Sequence, residues 1–242
     1  VLLLAAANAV FHVEALAGGA PGGYGIRLGV GVIVMLISLI GGRVTPSFTR
    51  NWLARRGAAR LPAPFGRLDA VALALGGAAL LAWVIAPEFA PFRLLFLLAA
   101  LGHAVRLARW RGHRTLAEPL VTILHVGYAF VPLGFLVLGA GGLLPGGPGP
   151  LHVPHAWTAG AVGVMTLAVM TRASLGHSGR ALSATVPIIA IYAAAALAAG
   201  LRILAEFIPG ESGLLHISAA AWIAGFAGFA IIFVPILATG RK

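Results

Sequence analysis

Eight histidines and no cysteine set the chemistry open to this chain of 242 residues. Without thiols there is no disulfide, no thiolate–metal site and no attachment point for a c-type haem. Imidazole nitrogen is a ligand for haem iron and for copper, so histidine must carry any such site here. Arginine is the second informative type. Residues 41–60, GGRVTPSFTRNWLARRGAAR, hold five arginines and no acid. A guanidinium grips carboxylates and phosphates through a two-pronged fork. Met165 and Met170 are weaker ligand candidates and read first as packing.

The elements that must position these residues are membrane helices. The chain is 60% hydrophobic and 10% charged, more apolar than a soluble domain of this length can hide. A hydrocarbon core of about 30 Å takes about 20 helical residues. Eight spans follow, at 1–17, 24–42, 68–86, 92–107, 119–138, 154–175, 184–205 and 213–238, with Gly- and Pro-rich breakers between them. The fold class expected is all-α and polytopic, with residues 1–242 as one transmembrane domain. No ten-residue alternation suggests strands. The chain opens at Val1 inside an apolar run without a basic start or cleavage site, which reads as mid-helix rather than as a signal peptide.

Charge separates alternate loops. Arg43, Arg50, Arg55, Arg56, Arg60 and Arg67 follow the second span. Arg106, Arg109, Arg111 and Arg114 follow the fourth, Arg172 and Arg180 the sixth, and Arg241 and Lys242 the eighth. The positive-inside rule puts these loops, and both ends of the chain, in the cytoplasm. The formal net charge of +11 is therefore topology, and a nucleic-acid partner is not expected. RVTPSFTR from Arg43 and RASLGHSGR from Arg172 are similar and lie four spans apart, which suggests two parallel four-helix repeats.

Histidines at membrane depth are costly and face the bundle interior. His12, His155 and His216 fall at an outer level, with His152 beside them at the interface. His103 and His125 fall at an inner one, with His177 at the cytoplasmic end of the sixth span and His113 in a basic loop. The rise per residue sets the levels about 15–20 Å apart. Two levels point to at least one metal or haem site. Tyr128 shares the helix face of His125. Glu118 and Asp69 read as helix caps, and Trp52, Trp110, Trp157 and Trp222 as interfacial anchors.

GGRVTPSFTRNWL at 41–53, LHVGYAFVPLGFLVLGA at 124–140 and HAWTAGAVGVMTLAVMTRASLGHSGR at 155–180 resemble the NnrS family. That resemblance implies a membrane protein of the bacterial inner membrane linked to nitric-oxide metabolism, containing haem (of b type) and copper. It also implies further N-terminal helices, since family members are larger. By motif it carries over His12, His125, His155 and His177, with Arg43, Arg50, Asn51, Arg172 and Arg180. His103 and His216 match no motif and stay as additional metal-ligand candidates. The expected partners are the lipid bilayer and nitric oxide or a related small molecule. The resemblance names a pathway, not a reaction. The alternative is a transporter with a His- and Arg-lined substrate or proton path. In the opening stretch Pro46 and Ser47 suit a turn or a new helix start. Arg43 and Arg50 beside them suit haem propionates. His12 with His155, and His125 with His177, are the expected pairs.

Overall fold

The computed structural model describes residues 1–18, 23–144, 146–149, 151–208 and 210–238. The breaker residues 19–22 and the basic Arg241 and Lys242 lie outside the described residues. Among those described there are helices and no strand. They are α1 (Leu2–Leu16), α2 (Tyr24–Leu36), α3 (Gly42–Arg55), α4 (Arg67–Ile85), α5 (Phe92–Arg109), α6 (Pro119–Ala140), α7 (Met165–His177), α8 (Val186–Leu204) and α9 (Ser212–Ala238). A π-helical stretch, Ile37–Gly41, joins α2 to α3, and a second, Ala156–Val164, runs into α7.

Six of the helical segments are long and apolar enough to cross a membrane, which makes this a multi-pass membrane protein. Two of the eight expected spans fall short on those criteria. Helix α1 has 15 residues, and α5 carries Arg93, Arg106 and Arg109. Helix α5 still runs antiparallel between α4 and α6. Its end meets the start of α4 through Arg106 and Asp69, and its beginning, at the Arg93 carbonyl, lies against Gly139 near the end of α6. Helix α1 folds back on α2, where the Glu14 carboxylate accepts the N–H groups of Tyr24 and Gly25 at 2.7 and 2.9 Å. A carboxylate at a helix N-terminus meets both the unbonded donors and the dipole.

The second span does not stop near Gly42. Tyr24–Arg55 is one helical run of 32 residues. Pro46, expected at a turn or a helix start, sits inside α3. A proline there has no N–H for the carbonyl four residues back, which is that of Gly42. The Gly42 carbonyl instead receives Nη2 of Arg106, at 3.5 Å. The Ser38 carbonyl, in the π-helical stretch, receives Nη1 of the same residue at 2.7 Å. An inserted side chain thus compensates for a broken helical ladder. The repeat also looks different in three dimensions. RVTPSFTR lies within a helix, whereas RASLGHSGR spans the end of α7. The two meet rather than standing apart, with the Arg172 guanidinium 4.0 Å over the Phe48 ring.

Two apolar clusters fill the bundle. One centres on Trp83, Phe135 and Trp157, the other on Leu124, Met165, Tyr192 and Phe233. Trp52, Trp110 and Trp157 are buried rather than interfacial. Trp157 can be buried because its Nε1 donates to the Val131 carbonyl at 3.0 Å. The outside carries Leu101, Leu136, Ile223, Ile231 and Val234, as contact with lipid requires.

Candidate metal centre and the buried arginine network

At the end of the bundle opposite the arginines, two segments far apart in sequence converge. The first is His152-Val153-Pro154-His155. Proline disfavours the helical region for Val153 and presets its own φ for a helix start. Its carbonyl takes the first helical bonds, from Trp157 and Thr158 at 2.9 and 3.3 Å. The two imidazoles therefore flank the point where extended chain becomes π-helix. The second segment is the tight turn after α8, where Glu206 N–H bonds the Ile203 carbonyl at 3.0 Å.

One carboxylate oxygen collects all three contacts. Glu206 Oε1 accepts the His155 backbone N–H at 2.8 Å and His155 Nδ1 at 2.5 Å. His152 Nε2 stands 2.9 Å from it. The Glu206 side chain is only 4% exposed. Burial would push its carboxyl up, but the neighbouring His152 and His155 groups outweigh that and hold it down at about 2. It is thus ionised across the physiological range. The other carboxylate oxygen, Glu206 Oε2, is buried and makes no hydrogen bond. Ligand atoms of His152, His155 and Glu206 lie within 4.8 Å of one another, the one such group of three among the described residues. His155 also lines a cleft of about 530 Å³, with Thr158, Arg202, Ser218 and Trp222. Two imidazoles and a carboxylate with unused acceptor capacity form a donor set that suits copper(II) or zinc. π-helical turns recur at functional sites, and Ala156–Val164 begins directly after His155.

A second polar cluster lies inside the bundle toward the arginine-rich end. Arg106 is fully buried and donates Nε to Asp69 at 3.0 Å. Its Nη1 also reaches the Tyr128 hydroxyl at 2.7 Å. Asp69 accepts Arg109 at 3.2 Å and caps α4 through the Gly66 N–H at 3.0 Å. Tyr128 in turn meets His103 Nδ1 at 2.9 Å. Nε2 of His103 is turned against Gly76 of α4. His125 bonds Thr49 Oγ1 at 2.8 Å. Thr49 gives its own proton to the Thr45 carbonyl, so His125 Nε2 is the donor and Nδ1 is bare. That nitrogen makes no hydrogen bond and packs under Gly112. Trp110 lies against both His125 and Tyr128, with ring centroids 6.3 and 4.5 Å away.

The model of the NnrS protein family matches residues 1–241. The chain belongs to the NnrS family. No curated protein and no solved structure matches. Membership ties this NnrS chain, at the level of the family, to haem, copper and nitric oxide. The residues carried over by motif fall in several places. His155 is in the outer group. His12 is exposed on α1, its ring against Phe11. His177 is the exposed last residue of α7. His216 is exposed and bonds the Ser212 carbonyl within α9. Arg43 and Arg50 share a small cleft of about 260 Å³ with Asp69 and Trp110. Arg180 and Asn51 are exposed, and Arg172 lies over Phe48. Glu118 does begin α6, but its side chain makes no cap bond. The His-x-x-His spacing of His152 and His155 is the sequence signal for this site, and a reading of the histidines by depth alone passes over it. Glu206, one of six acids in the chain, was not singled out at all.

Proposed function

We propose that this chain is a haem- and copper-containing protein of the bacterial inner membrane, acting in the response to or metabolism of nitric oxide, and that His152, His155 and Glu206 hold the copper. The observation that carries the reading is the convergence of two imidazoles on one ionised, buried carboxylate. Bound copper supplies one-electron chemistry. The chain's own part is to fix the His155 ring through Glu206, to keep the carboxylate ionised, and to leave a cleft by which a small molecule reaches His155. Arg202 places positive charge in that cleft. For haem the motif leaves His12, His125 and His177, with Arg43, Arg50, Arg172 and Arg180 as partners for its carboxylates. His12 and His177 present exposed imidazoles, whereas both ring nitrogens of His125 are enclosed, by Thr49 and by Gly112, and do not fit an iron ligand.

The test is metal content of the purified full-length protein. Glu206→Gln and His152→Ala should lower copper affinity by about 10–100-fold or more, with haem content unchanged by pyridine haemochrome. Full copper in both variants sinks the assignment. His12→Ala and His177→Asn should alter the haem spectrum and leave copper in place.

A further inference from the structure

The arginine-rich end holds a second cleft that neither the copper nor the haem assignment uses. It measures about 460 Å³, and its lining includes Trp52, Arg56, Arg60, Arg111 and Arg114. Arg56 and Arg60 come from the end of α3 and the turn after it. Arg111 and Arg114 come from the short connection between α5 and α6. No Asp or Glu lines the cleft. Among the described residues none of the four has a carboxylate within 4.0 Å, the ion pairs of the protein being elsewhere. Of the two acids on this side, Asp69 is paired with Arg106 and Arg109, and Glu118 is not among the residues that line the cleft.

The cleft is built rather than incidental. The Arg56 guanidinium stacks 4.4 Å over the Trp52 ring, which fixes its plane and leaves its N–H edge free to donate. Arg111 is the one non-glycine residue with positive φ among those described, at φ 59 and ψ 38. A left-handed arginine is strained, and such strain clusters where a side chain must be aimed. The four like charges repel one another across a shared space and gain only if an anion enters.

We propose that this cleft binds a ligand carrying two phosphate groups held close together. Four guanidinium groups can neutralise the roughly three charges of a diphosphate ester or the one charge on each phosphodiester of a diphosphatidyl headgroup, and paired forks suit phosphate oxygens. The cleft has far more room than one phosphate fills. Two sources share this chemistry: the diphosphate of a soluble compound, and the headgroup of a diphosphatidyl lipid.

Thermal unfolding of the delipidated full-length protein separates them. One arm adds pyrophosphate, with orthophosphate as comparison. The other reconstitutes the protein into phosphatidylcholine with or without diphosphatidylglycerol. Protection by pyrophosphate, or by the diphosphatidyl lipid alone, supports the site and names its source. In either case Arg60→Gln with Arg114→Gln should raise the concentration needed by about tenfold or more. Arg67→Gln, at the exposed start of α4, should not shift it. Should the double variant fail to fold, Arg60→Gln alone is read in the same way. Absence of protection in both arms overturns the proposal. So does equal protection of the Arg60 variants, or an equal loss in Arg67→Gln.

Discussion

Arg106 shows how a single residue is made tolerable inside the bundle. Its guanidinium is 0% exposed and spends its donors on Asp69, Tyr128 and the carbonyls of Ser38 and Gly42. Gly42 must be glycine, because a Cβ there would come within 2.3 Å of Nη2. Asp69→Asn leaves that charge buried without its counter-ion. Loss of one partner of a buried pair costs about 3–5 kcal/mol. The variant should therefore unfold far earlier in detergent or fail to accumulate. Arg109→Gln removes the half-exposed partner of the same carboxylate and should cost at most about 1 kcal/mol. Equal effects of the two changes on the unfolding midpoint would contradict this account. The residue scale is also where the sequence was least legible. Arg106 read as a positive charge at a span end, because nothing local shows that Asp69, 37 positions away, is its partner. His155 and Glu206 are 51 positions apart, and only the fold brings them together.

Helices were legible because apolar runs and breakers are local signals, whereas the ends that matter were not. The stretch 41–60 reads as a basic loop by charge, yet it is helical to Arg55, since Arg106 offsets the cost of Pro46. The π-helical stretch Ala156–Val164 has no sequence signature of its own. It packs on α6 where glycine lets the two approach. A Cβ at Gly134 would lie 2.1 Å from Trp157 Nε1 and displace its bond to Val131. Gly134→Ala should therefore destabilise by about 1–3 kcal/mol, with the buried indole fluorescence shifted to the red. Gly200→Ala, in α8 with nothing within 4 Å of its Cβ position, should stabilise by about 0.5–1 kcal/mol. The unfolding midpoints of the two variants should move in opposite directions.

At the scale of the molecule, the two ends of the bundle differ in chemistry. One holds the His152–His155–Glu206 group, and the other the arginine clefts. By the positive-inside rule the second is expected to face the cytoplasm. An alkaline phosphatase fusion should be active at Gly147 and silent at Arg60; the reverse pattern would invert every assignment of inside and outside made here.

The unbroken run from Tyr24 to Arg55 has a further consequence. Its 32 residues make a rod of about 48 Å, and the common tilt of about 20° still leaves about 45 Å of height. The hydrocarbon it crosses is about 30 Å deep. The rod is thus about 15 Å taller than the hydrocarbon, about the depth that the two headgroup layers add to it. The four-arginine cleft at its foot then falls at the level of the lipid phosphates, where a dissolved polyanion and a headgroup compete for the same four guanidinium groups.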